Sequence, residues 1–135
     1  MTVGPILNCI VCEGVRQEIL NKYTILGFFG IAPNVKISIR DFKLPVTICF
    51  FFCGTTAGGR LRVSVTLSDR SGRLIPNKIP QPPETMFDPS KPVTFFALFF
   101  EGIFPGPGEF KISLMIDDRE HYSTFFSLDP NLLPN

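Results

Sequence analysis

Thirteen prolines spread along the whole chain, together with eleven glycines, limit it to short elements joined by turns. Proline fixes φ and withholds a backbone donor, while glycine admits positive φ, so neither carries a regular ladder far. Between these breaks the sequence is rich in Val, Ile, Thr and Phe, side chains that suit a pleated, half-buried surface. Fifteen Phe and no Trp supply the apolar volume. The implied class is all-β. The 135 residues form one domain, 1–135, large enough to bury about two-thirds of its unfolded surface without a disulfide framework.

The cleanest element follows the sharpest corner. The chain turns at Pro105 to Gly108, and beyond it Phe110, Ile112, Leu114 and Ile116 alternate with Lys111, Ser113, Met115 and Asp117, the period of a strand with one buried face. Asp117-Asp118 ends it. Glu120 to Leu128, with Tyr122, Thr124, Phe125 and Phe126, returns as the second arm of a hairpin. Phe110 stands where an aromatic anchors a strand just after its corner. Leu61, Val63, Val65 and Leu67 alternate as regularly with Arg62, Ser64, Thr66 and Ser68, ahead of a turn at Asp69 to Gly72. Val35, Ile37 and Ile39 do so with Lys36, Ser38 and Arg40. Pro5 to Cys12 reads as a first strand, Ile6 and Ile10 on one face and Leu7, Cys9 and Val11 on the other. Tyr23 to Ile31 is a strand interrupted by Gly27 and Gly30, where a bulge is expected, and Ala32-Pro33-Asn34 turns the chain.

Glu13 to Lys22 is polar and reads as a connection, and GTTAGG at 54 to 59 as a flexible turn. Six prolines from Pro76 to Pro92 exclude a central strand. This stretch predicts an extended crossing between sheets, with an edge strand near Leu74 to Ile79. The tail from Asp129 to Asn135 runs along the surface. The predicted architecture is an antiparallel two-sheet β-sandwich, immunoglobulin-like or Greek-key in layout.

Three features together resemble one family. They are Cys12-Glu13 closing the first strand, the run NKYTILGFF from Asn21 to Phe29 followed by Pro33, and Pro105 with Gly106 to Phe110 leading to Asp117-Asp118-Arg119. The chain is similar to a family of small bacterial single-domain β-sandwich proteins of uncharacterised function. The resemblance implies the fold and no particular activity. This chain carries more Phe and Cys than that pattern.

Charge and cysteine usage narrow the chemistry. A net charge of +1 offers no concentrated basic field for nucleic acid or an anionic membrane. Asn8, Glu13 and Arg16 interrupt the first twenty residues, so no export signal or membrane span is expected, and the expected compartment is the cytoplasm. Four cysteines are then expected as reduced, buried thiols. Cys9-x-x-Cys12 and Cys49-x-x-x-Cys53 have the look of two zinc knuckles, but in strands Cys9 and Cys12 point to opposite faces. Cys49 and Cys53 lie roughly 13 Å apart on one face, whereas thiolates sharing a zinc each lie about 2.3 Å from it. His121, the single histidine, stands near Asp118, Glu120 and Ser123 without a G-x-S-x-G or other nucleophile geometry. Asp117, Asp118 and Glu120 in one turn fall short of the six or more oxygens calcium takes, although Asp69 or Asp41 could join from another loop, and turn formation explains them better. Arg60, Arg62, Arg70, Arg73 and Lys78 make one segment locally basic without interleaved aromatics.

The functional signal is apolar. In Val46 to Cys53 and in Val93 to Glu101 both faces are built from large hydrophobes, whereas a two-layer fold covers only one face of each sheet. The expectation is a non-enzymatic binding or assembly module without a cofactor. Its partner is a second copy or another protein covering such a face, with Phe51, Phe96 and Phe100 as the interface residues. A small-ligand pocket between the sheets is a variant of that reading. The alternative is a metal-binding protein or metal-dependent enzyme using the cysteines or the acidic loops.

Overall fold

The structure, a computed structural model, describes residues 4–55, 59–81, 84–88, 90–91 and 93–131. It is all-β. The strands are β1 (Ile6–Gln17), β2 (Tyr23–Ile31), β3 (Lys36–Ile39), β4 (Val46–Thr55), β5 (Gly59–Leu61), β6 (Val63–Ser68), β7 (Leu74–Ile75), β8 (Thr85–Phe87), β9 (Val93–Gly102), β10 (Gly108–Ile116) and β11 (Arg119–Pro130). Three sheets result: a four-stranded sheet in the order β2-β1-β4-β9, a five-stranded sheet β3-β11-β10-β6-β7, and the pair β5-β8. All pairings are antiparallel except β3 with β11, which run parallel.

The alternation in the sequence decides which side chains are buried. Val63, Val65 and Leu67 from β6, and Phe110, Ile112 and Leu114 from β10, share one core with Cys9, Val11, Ile48, Phe50, Phe52, Leu98 and Phe100 of the four-stranded sheet. Phe50 meets Phe126 edge-on at 6.0 Å, and Phe52 meets Tyr122 at 6.4 Å, so the two larger sheets face each other. At one end Phe104 sits among Phe100, Phe110 and Phe126, with ring centroids 5.7, 5.0 and 6.2 Å away. The Pro/Gly corner delivers Phe110 into this cluster, 2% exposed. The hairpin of β10 and β11 turns on Asp117 and Asp118, both at positive φ (49° and 66°), as a tight two-residue turn between right-twisted strands requires.

Several elements differ from the sequence expectation. Glu13 to Gln17 is not a connection: β1 runs through to Gln17, because Gly14 to Gln17 find ladder partners in Leu26 to Tyr23. Only Ile19–Asn21 forms a 3-10 turn, with Leu20 at φ 63°. Ile6 shares the core side with Cys9 and Val11 rather than lying with Ile10, since a register shift between Ile6 and Asn8 reverses its facing. The bulge predicted by Gly27 and Gly30 falls opposite Val11 and Cys12, leaving Phe29 inserted toward the core. The regular run from Leu61 to Ser68 is interrupted at Arg62, so Leu61 belongs to β5 and pairs with β8. Pro76 stops β7 after two residues. Of the GTTAGG turn, 56–58 lie outside the described residues, as do 132–135 of the tail.

The free edge of β9 is partly closed by one side chain. Asn77 donates from Nδ2 to the Phe99 carbonyl at 3.2 Å, and its Oδ1 accepts from the Glu101 and Ile79 N–H groups at 3.0 Å each. Asp69 organises the turn after β6 in the same way, accepting from the Ser71 hydroxyl and the Ser71 and Arg73 amides.

Replacing Phe104 with Ala is expected to cost about 3–5 kcal/mol, measured as the shift in a urea unfolding curve. Asp69 gives a pH dependence. The Ser71 hydroxyl, then the Arg73 amide, hold its carboxyl below the ordinary value, so the folded-state pKa lies beneath the unfolded one. Its stabilisation is complete above the unfolded value, about 4, and is lost as pH falls through the depressed value. An acid series of unfolding midpoints is expected to decline less in Asp69→Asn than in the parent chain.

Candidate functional site

The outer faces of the two large sheets are chemically unlike. Strand register places Ser64, Thr66 and Ser68 of β6 beside Met115, Ser113 and Lys111 of β10, and these last two beside Ser123 and Phe125 of β11. That face is largely polar and held by local bonds, Ser113 donating to Glu120 at 2.8 Å and Lys111 pairing with it at 2.9 Å. On the four-stranded sheet the same reading gives three rows across β1, β4 and β9: Asn8, Cys53 and Phe95; Ile10, Phe51 and Ala97; Cys12, Cys49 and Phe99. Strand β2 extends the second row with Ile31 and the third with Phe28. No charged side chain interrupts these rows.

Part of this face is covered from within the chain. Tyr23, opposite Gln17 at the far end of the β1-β2 hairpin, lies 5.3 Å from Phe51 and 5.6 Å from Phe95, while Phe51 stacks on Phe95 at 5.7 Å. The arm of the hairpin therefore bends over the sheet. Gly27 permits the bend: it sits at φ +60°, and a Cβ there would collide with the Glu13 side chain. Phe51 is left 4% exposed, yet Phe95 (43%), Phe99 (39%), Phe28 (60%) and Ile31 (48%) remain open.

The interface residues expected from sequence do not come together. Phe51 is on the outer face but lies under Tyr23. Phe100 is fully buried, and Phe96 packs on the core side against Phe52 (5.4 Å) and Phe87 (5.6 Å). The exposed members of β9 are instead Phe95 and Phe99. Their common parity with Glu101 was the available signal, since the one charge in that strand marks its outer face.

Beside the arm is a cleft of about 640 Å³, lined by Gln17, Tyr23, Met86, Phe87, Phe95 and Phe96 among others. It sits at the edge of the sheet rather than between the sheets. Its lining is mainly apolar, and Tyr23 and Phe95 belong to both cleft and face. The hairpin tip beyond it holds Ile19 and Leu20 85% and 83% exposed. Asn8 Oδ1, on the outer face next to Cys53 and one strand from Phe95, is buried without a hydrogen-bond partner among the described residues.

The polar candidates are engaged elsewhere. Cys9 lies in the core, while Cys12, Cys49 and Cys53 belong to the outer face, as strand alternation predicts. Burial pushes the Cys9 thiol far up. A hydrogen bond with Cys49 holds the Cys12 thiol below its ordinary value, and the same bond, with burial, raises Cys49. Asp118 pairs with Arg62 at 2.8 Å and Asp117 accepts from the Arg62 amide at 3.1 Å. Exposed His121 places Nε2 3.0 Å from the Gly4 carbonyl. Among the described residues no group of three or more His, Cys, Asp or Glu is placed to share a metal ion, and no helix is long and apolar enough to cross a membrane. No protein-family model and no curated protein matches the chain.

Tyr23→Ala removes the cover from Phe51 and two ring contacts. The loss is expected to be about 1–3 kcal/mol in urea unfolding, accompanied by stronger fluorescence of an added anilinonaphthalene sulfonate dye.

Proposed function

We propose that this protein is a non-enzymatic assembly module that associates with a second copy of itself through the outer face of its four-stranded sheet. The observation that carries the reading is the difference between the two outer faces. A serine- and lysine-bearing face needs no cover, whereas exposed Phe28, Ile31, Phe95 and Phe99 on one face are the composition of an interaction surface. The three rows that hold these residues carry no charge, Glu101 lying one row beyond Phe99, and this favours a like partner: a two-fold related copy meets the same patch, and uncharged rows do not repel each other. The Ile19-Leu20 tip and the adjoining cleft add apolar area beside it.

The frame for this module is a two-sheet sandwich of immunoglobulin-like layout, supported by the shared core of the two larger sheets. Membership of the small bacterial sandwich family rests on the Asn21 to Phe29 run and the Pro105 to Phe110 corner. A cytoplasmic setting fits four thiols without a disulfide.

Light scattering coupled to gel filtration tests the reading. The parent chain is expected to elute as a dimer, and Phe95→Asp with Phe99→Asp as a monomer with an unchanged far-ultraviolet spectrum. A monomeric parent chain, or a folded double variant of unchanged mass, overturns the proposal.

A further inference from the structure

Cys12 and Cys49 are direct partners across β1 and β4, and the ladder fixes how they meet. Glu101 turns its N–H and C=O away from β4, to Asn77 and Lys78. Its partner Thr47, and by alternation Cys49, therefore direct theirs toward β1. Thr55 agrees, its N–H reaching the Pro5 carbonyl on that side at 3.0 Å. Cys12 and Cys49 thus form a hydrogen-bonded pair whose Cα atoms lie about 5.5 Å apart, inside the ~4.4–6.8 Å that a disulfide spans.

The Cys12 side chain already reaches toward β4. Its thiol lies 3.7 Å from the Cys49 carbonyl and 3.5 Å from that of Gly14. The remaining thiols are out of reach of this pair: Cys9 is on the opposite face, and Cys53 is four residues along β4, about 13 Å from Cys49.

We infer that Cys12 and Cys49 are a modification site, a thiol pair that a peroxide converts into a reversible cross-strand disulfide. The sulfur of one member of the pair, Cys12, takes one oxygen from hydrogen peroxide as the O–O bond breaks, giving the sulfenic acid and one water. The Cys49 sulfur then attacks the Cys12 sulfur; the S–O bond breaks, the S–S bond forms, and the oxygen leaves as a second water carrying the Cys49 proton. Two thiols and one peroxide yield one disulfide and two waters. Both thiols are fully buried, so oxidation proceeds through local opening of the sheet and favours the smallest oxidant. Cβ atoms in such a pair stand about 5 Å apart, beyond the ~3.8 Å of a relaxed disulfide, so a dithiol reductant reopens the bond readily.

The test exposes the full reduced chain to hydrogen peroxide and reads intact mass, followed by tandem mass spectrometry of the linked peptides. Trypsin leaves Cys9 with Cys12 and Cys49 with Cys53 on common fragments, so fragmentation within each peptide assigns the bridge without any variant. The expected result is loss of two hydrogens, a Cys12–Cys49 link and recovery of the original mass with dithiothreitol. In a Cys9→Ala, Cys53→Ala chain the bridge is expected to persist, and in Cys49→Ala to be absent. Gain of oxygen alone, a link through Cys9 or Cys53, a cross-link between chains, or no change in mass each overturns the inference.

Discussion

Phe50 and Phe52 on one side of β4, and Phe51 on the other, place aromatic rings on both faces of a central strand. The pleat makes this unavoidable, since neighbours in a strand point in opposite directions. One side is satisfied by the five-stranded sheet, where Phe126 and Tyr122 meet Phe50 and Phe52. Among the described residues the other side has no second sheet above it, and other features of the molecule answer that need.

The β1-β2 hairpin is the first answer. It bends where Gly27 leaves room for Glu13, brings Tyr23 onto Phe51, and so buries the centre of the outer face. Its reach ends there. The exposed phenylalanines of β2 and β9 flank the covered strip, and a bilateral partner would complete what the hairpin begins. Cys12 and Cys49 are fully buried on the outer-face side of the same sheet, away from Cys9 in the core.

The strands with one wet face were legible because polar residues alternate with apolar ones: β6, β10 and β3 lie where Ser64, Thr66, Lys111 and Lys36 mark the solvent side. The strands with two apolar faces were legible as strands but not as to facing, which is why Phe96 and Phe100 were expected outside and are found inside. Register shifts were the second obstacle. Nothing in Ile6 to Asn8 announces the shift that turns Ile6 inward, and the polar Glu13 to Gln17 gives no sign of the ladder that Tyr23 to Leu26 completes. The cleft depends on residues distant in the chain, Gln17, Phe87 and Phe95, which only the folded arrangement brings together.

Covering of the outer face by a second copy is the central claim, and amide hydrogen exchange as a function of protein concentration tests it most directly. Protection in β2 and β9, the strands bearing Phe28, Ile31, Phe95 and Phe99, is predicted to rise with concentration while β6, β10 and β11 stay constant. Exchange independent of concentration, or a rise confined to the polar sheet, would contradict it.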